Sequence, residues 1–405
     1  MTSENPSPAS GTAAPVPEAV DKQRDALGFF ARWVIMSAAF LIGSQALDWD
    51  MTDAWWALGS MAVTWHLLFA LAPALRALWS YAVGLRPESV DLGAGPLVSA
   101  HERGQLLVLR RKLPVRIRIR HRMDLTTRAR RVRLWAASWL ALTTVAAGAW
   151  AAWAAGGPLG VGASFACALA VLTALGDLRT GGLGHLLLRV PFLPTSALPR
   201  IDPADEDVRL AHAVALGRWD EVRAAVAGEG GHTAATVNRA AAELAVAECR
   251  YAEAADLARQ GMQAAEEPTA RSLSAQQLVR AVYYAHEAAS AGHGTGPMPD
   301  IDGLAVCLAE AVAAIRAVPS MAVVSDAAGL VAVVRRDSES ALRMAAAVAA
   351  YANGPIAAAH HCCTIARAYA AQNRPKDAAR ALERAREHAP GLARIGVVGE
   401  LILNS

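Results

Sequence analysis

The chain has 405 residues, 54% of them hydrophobic, and its 39 Lys or Arg nearly balance 36 Asp or Glu for a formal net charge of +3. That balance is no overall signature for nucleic acid. Five cysteines, an odd number without regular spacing, exclude a disulfide framework.

Residues 1–28, rich in Pro, Ser and Ala, are expected to form a disordered tail. Four apolar runs follow. Residues 29–47 carry Arg32 as their only charge, and 54–75, 134–155 and 159–175 carry no Asp, Glu, Lys or Arg. A helix rises about 1.5 Å per residue against about 30 Å of hydrocarbon, so runs of this length predict four transmembrane helices. The first run is too long, and too far from the start, for a cleavable signal. The link 48–53 has three acids and no base, whereas 101–133 has twelve Arg or Lys against Glu102 and Asp124. Positive segments stay inside, so the sequence predicts a multi-pass plasma-membrane protein with both termini in the cytoplasm. Beside a membrane those cations answer to anionic lipid headgroups rather than to nucleic acid.

Within the basic loop, 84–133, the stretch Val115-Arg116-Ile117-Arg118-Ile119-Arg120 alternates with the period of a half-buried strand. Gln105 to Arg111 is a weaker strand, and Arg111-Lys112-Leu113-Pro114 is the expected turn of a small cytoplasmic β-hairpin. Arg116, Arg118 and Arg120 would then form a row facing water or phosphate, a candidate substrate-binding surface. Among ionisable groups near the membrane, His66 lies mid-run, where such a group is costly. Asp177, Arg179 and His185 cluster around a Gly-rich turn after the fourth run. His66, Asp177 and His185 are the candidate catalytic groups, and Arg179 a candidate binding group for a peptide carbonyl.

Prolines 191, 194, 199 and 203 mark a linker over 191–203 between a membrane domain, 29–190, and a cytoplasmic domain, 204–405. In the latter, Gly217-Arg218-Trp219-Asp220-Glu221-Val222, Cys249-Arg250-Tyr251-Ala252-Glu253-Ala254 and Asn373-Arg374-Pro375-Lys376-Asp377-Ala378 share a pattern of turn, base, aromatic or Pro, then acid. Trp219 and Tyr251 are 32 residues apart, close to the ~34-residue tetratricopeptide period. The pattern resembles tetratricopeptide repeats and implies an α-solenoid whose concave face holds a peptide or protein partner. It is weak over 291–348. The predicted fold is therefore an all-α membrane protein of four transmembrane helices with a β-hairpin insertion, followed by a tetratricopeptide-like solenoid. His360-His361-Cys362-Cys363 has metal-ligating chemistry, but on a helix only His360 and Cys363 share a face, so a packed helix is expected.

Between residues 54 and 194 a sequence of marks, Gly84-Leu85-Arg86, Leu92-Gly93-Ala94-Gly95-Pro96, Leu113-Pro114, the Arg128 to Arg133 cluster and Gly181-Gly182-Leu183-Gly184-His185, resembles the site-2 proteases, intramembrane zinc metalloproteases. The resemblance implies a His-Glu-x-x-His helix before Gly84 and an Asp ligand near Thr180 or Leu183. This chain instead has Ala72-Pro73-Ala74-Leu75-Arg76, so no metal, no cofactor and no zinc-protease activity are expected. Two fragments imitate the motif without its second His, at His101-Glu102 and His286-Glu287. Two function classes remain. One is a membrane subunit that binds a peptide or protein partner through its repeats and presents it at a pseudoprotease-like membrane domain. The other is half of a heteromeric, metal-independent enzyme that dehydrates or epimerises a ribosomal precursor peptide, in an organisation resembling that of linaridin biosynthesis, with a second membrane or soluble subunit.

Overall fold

In a computed structural model the protein is mostly helical with one small sheet. The structure describes residues 50–85, 87–104, 106–121, 128–176, 187–188, 192, 205–228, 234–265, 268–293, 301–318, 326–349 and 351–404. The first predicted membrane run, 29–47, lies outside the described residues. The contacts divide the chain into two units. One comprises residues up to 68 together with 143–173, and the other 69–142 together with 174–405.

Three apolar helices correspond to the remaining runs: α1 (Met51–Ala82), α2 (Arg128–Ala155) and α3 (Gly157–Gly176). The segments Arg131–Ala155 and Gly157–Leu175 are long and apolar enough to cross a membrane. Only 33% and 28% of their most apolar windows are buried, whereas a soluble core helix would be mostly buried. In the first unit α3 meets α1 through Ala57, Leu58, Met61 and Ala166. Ser60 Oγ donates to Leu159 O at 2.6 Å. A Cβ at Gly162 would lie 2.0 Å from Ala57 O, so this crossing requires glycine. Small residues let apolar helices approach where lipid gives no hydrophobic drive to do so. Trp55 and Trp56 near the start of α1, and Trp150 and Trp153 near the end of α2, are all exposed. Bands of this kind sit at membrane–water interfaces.

The sheet lies in the second unit and corrects the predicted hairpin. The two expected strands are halves of one long strand, β2 (Leu106–His121), whose partner is β1 (Pro87–Arg103). The reversal is at Gly104, whose φ of +64° is open to glycine at no steric cost, and not at residues 111–114. The hairpin is also doubled over. Residues 99–103 pair antiparallel with 106–110, and 89–92 pair antiparallel with 117–120, while 89–92 also run beside 107–110 with both numbers rising together. Doubling needs a sharp bend at Gly93, with φ +109° and a Cβ position 2.5 Å from Leu113 O. Alternation in 115–120 identified a strand, but a bend made by backbone proximity has no periodicity to read.

After residue 204 the described chain forms five helix pairs and a final helix. The pairs are α4 (Asp205–Leu216) with α5 (Trp219–Val226), α6 (Ala234–Ala247) with α7 (Tyr251–Ala264), α8 (Pro268–Ser290) with α9 (Ile301–Arg316), α10 (Ala327–Val334) with α11 (Ser338–Ala349), and α12 (Pro355–Ala371) with α13 (Pro375–His388). The last helix is α14 (Ala393–Leu403). Helix α13 shows why such segments are helical. Pro375 occupies the first turn, Asp377 complements the N-terminal dipole and Arg386 the C-terminal one. Its buried Ala378, Ala381, Leu382 and Ala385 fall on one stripe.

The three sequence repeats are one turn seen three times. Gly217, Cys249 and Asn373 have φ of +73°, +60° and +56°. The next residue sends its N–H back five positions, Arg218 to Ala213 O at 2.8 Å, Arg250 to Ala245 O at 2.8 Å and Arg374 to Tyr369 O at 3.0 Å. This is the Schellman helix stop. The basic residue then pairs with an acid three positions on, in Arg218–Glu221, Arg250–Glu253 and Arg374–Asp377. The weakly patterned stretch holds two more copies: Gly292 has φ +86° and His293 N–H bonds Ala288 O at 2.9 Å, and Arg336 has φ +58° and Asp337 N–H bonds Ala332 O at 2.9 Å. At Arg336 the charge is reversed, so the base-to-acid signature is lost while the turn remains.

Helices also meet beyond their own pairs, α12 reaching α4 and α14 reaching α8. The sheet docks where α4 meets α12. Leu97, Leu107 and Leu109 pack with Ala352 and Ala358. Arg111, buried against Asp91 at 2.9 Å, donates to Ala352 O at 2.9 Å. At the tip Glu102 takes His212 Nδ1 at 3.1 Å and Arg218.

Candidate functional site

Of the predicted residues, His66, Arg116, Arg118 and Arg120 are among the described residues. His66 is exposed on α1, and its Nδ1 bonds Ala62 O at 2.8 Å, one turn back in its own helix. Asp177, Arg179 and His185 lie outside the described residues. Arg116, Arg118 and Arg120 are at alternate positions of β2, with Arg118 opposite Asp91 and Arg120 opposite Ser89 in the strand register. Of the two imitation motifs, Glu102 is taken up in docking the sheet, and Glu287 belongs to a different arrangement altogether.

That arrangement is a polar recess between α8, α12 and α14. On α8, Gln277, Arg280, Tyr284 and Glu287 follow one another at three- and four-residue steps, and on α12 so do His360, Thr364 and Arg367. Helical geometry puts each set on one face. The two faces meet, and Tyr284 stacks on His360 with ring centroids 4.9 Å apart and planes 14° from parallel. Arg394 of α14 enters between them. Its Nε and Nη2 donate to Glu287 Oε2 and Oε1 at 2.8 and 3.1 Å, Nη1 donates to His360 O at 2.9 Å, and Nη2 also reaches Thr364 Oγ1 at 3.2 Å. The guanidinium lies 3.9 Å over the Tyr284 ring. Arg394 is 2% exposed and Glu287 4%.

Further along α8, Arg280 pairs with Glu243 at 3.0 Å and lies 3.9 Å from Asp326, which accepts the Tyr284 hydroxyl at 3.2 Å. Gln277 donates to Arg239 O and Glu243. Each buried guanidinium here thus faces a carboxylate, as burial demands.

The protonation states follow from this environment. Burial, then the Arg394 and Arg280 guanidinium groups, hold His360 well below the usual imidazole range. Burial also lowers His361, against the pull of Asp326. Burial opposes the charge on Arg394, but Glu287 and Tyr284 outweigh it and keep it protonated. Burial pushes the Cys362 thiol up to about 11 and Cys363 to about 12, so neither is a thiolate nucleophile at neutral pH. What the recess can do chemically is recognise a guanidinium, with a two-point carboxylate, a carbonyl, a hydroxyl and an aromatic face. Sequence reasoning missed it because its ends, residues 277 and 394, are far apart in the chain. The one available signal was the polar stripe on each helix.

No described family, curated protein or solved structure matches this chain.

Proposed function

We propose that the protein is a membrane-held, non-catalytic recruiting subunit, four times membrane-spanning with both ends in the cytoplasm, whose tetratricopeptide-like helix pairs capture a peptide or protein and hold it at the inner membrane surface. The observation that carries this reading is the place of the sheet. It lies in the chain between α1 and α2, and its tip is gripped by α4 and α12 through Arg111, Glu102 and three leucines. The sheet follows α1 in the chain and is held on the helix pairs by Leu97, Leu107 and Leu109 and by the pairing of Glu102 with His212 and Arg218, which supports the recruiting reading. Repeat stacks bind by surface complementarity and need no cofactor. The test is in-cell crosslinking of the tagged full chain, with partners identified by mass spectrometry. Crosslinks are expected to map to residues 205–404 and to vanish when that segment is deleted. Undiminished capture by the deletion variant would overturn the reading.

A further inference from the structure

We propose that the recess between α8 and α12 is a binding site for a partner helix presenting one arginine followed by apolar residues three, four and seven positions later, and that α14 occupies this site as an internal substitute. The proposal deepens the recruiting function and rests on it for its biological role.

Helix α14 itself displays the ligand chemistry. Arg394 fills the guanidinium receptor, and Val397, Val398 and Leu401 follow on the same face, all buried. The helix is a wedge between two cores. Val397 and Leu401 join the cluster built by α6 to α10, while Ile395 and Val398 join that of α12 and α13. A seam meant to stay shut is closed as well or better by apolar side chains, since burying an ion pair costs several kcal/mol of desolvation. What a buried pair provides is selectivity, because Glu287 is satisfied only by a partner that brings a positive charge.

A further feature keeps α14 weak. It contains Gly396 and Gly399, although a Cβ at Gly396 would meet nothing within 4 Å and one at Gly399 only ordinary contact, 3.5 Å from Leu382. Packing therefore does not require glycine, and each one weakens the helix about 5-fold relative to Ala. The link from α13 is the short Ala389-Pro390-Gly391-Leu392, beside a surface hollow of about 360 Å³ lined by Arg386, Gly391 and Ile395 among others.

The experiment uses the full chain in mild detergent, with a protease site inserted between Pro390 and Gly391, and a fluorescent synthetic peptide of residues 391–405. The uncut chain should not bind the peptide. After cleavage, labelled peptide should exchange in saturably, and the Arg394→Ala peptide, or Glu287→Gln in the cleaved chain, should bind at least ~100-fold more weakly, as expected when a buried pair loses one partner. Equal binding of both peptides refutes the guanidinium receptor. Binding to the uncut chain refutes self-occupation, and dimers formed by exchange of α14 would make a second copy, not a partner, the occupant. Hydrogen exchange on the uncut chain gives an independent reading. The α14 amides should exchange faster than those of α8 and α12, and Gly396→Ala should slow them about 5-fold. Exchange of all three helices in one global event overturns the proposal. Since no native partner is used, each of these failures leaves the recruiting function standing, and loss of recruitment leaves these results intact.

Discussion

Left-handed backbone at single residues sets the turns of the helix pairs. Gly217 adopts it without steric cost, but Cys249, Arg336 and Asn373 pay for a Cβ there, least for Asn. The side chain of Cys249 lies near the Tyr251 hydroxyl, at 3.5 Å, whereas Arg336 is exposed and has no such contact among the described residues. Arg336→Gly is therefore expected to stabilise the protein by ~0.5–1 kcal/mol, and Arg336→Val to destabilise it by more than ~1 kcal/mol. Thermal unfolding of the purified chain reads both. A destabilising glycine at 336 would contradict the turn geometry. The same four residues explain why the repeat was legible at Gly217, Cys249 and Asn373 and hidden at Arg336, where Asp337 replaces the base.

The elements carry their polar groups in matched faces, and the α8–α12 interface gives a pH dependence. His360 and His361 are held neutral in the folded protein, while in the unfolded chain they titrate near the ordinary value of about 6.5. Below that value the unfolded chain binds more protons than the folded one, so stability rises with pH. It is fully present above about 6.5 and is lost as pH falls from there, by up to ~1.4 kcal/mol per pH unit for each histidine. Chemical unfolding at pH 7.5 and 5.5 should show this loss. His360→Phe, which keeps an aromatic ring on Tyr284, should remove part of it, and His286 and His388, also lowered by burial, should retain the rest with His361. A flat profile between those values would rule out neutral, buried imidazoles. The sheet shows the opposite side of element-level reading. Its strand period was legible over 115–120, but its turn was misplaced, because Gly93 and Gly104 act through close backbone approach and positive φ.

At the scale of the whole molecule the proposed topology across a bilayer makes a testable prediction. Two helices could cross it, and the acids of 48–53 oppose the twelve cations of 101–133. With the positive segment held inside, single-cysteine probes at Asp50 and Arg120, on a background free of the native cysteines, should behave differently in intact cells. An impermeant thiol reagent should label position 50 and not position 120. Labelling of 120 alone would invert the topology. Labelling of both would remove the bilayer from between them.

The apolar runs 54–75, 134–155 and 159–175 marked three long helices from the sequence alone, two of them long and apolar enough to cross a membrane. Local turn chemistry likewise marked the helix stops at Gly217, Cys249 and Asn373. The partners of the buried charges were decided only in three dimensions. Glu102 looked like half of a metal motif and instead docks the sheet on α4, and Glu287 looked the same and instead holds Arg394. Residues 107 positions apart, as Glu287 and Arg394 are, leave no local pattern. Their pairing is chosen by which seam the packed helices close, since an unpaired charge in that seam would cost more than the fold can spare.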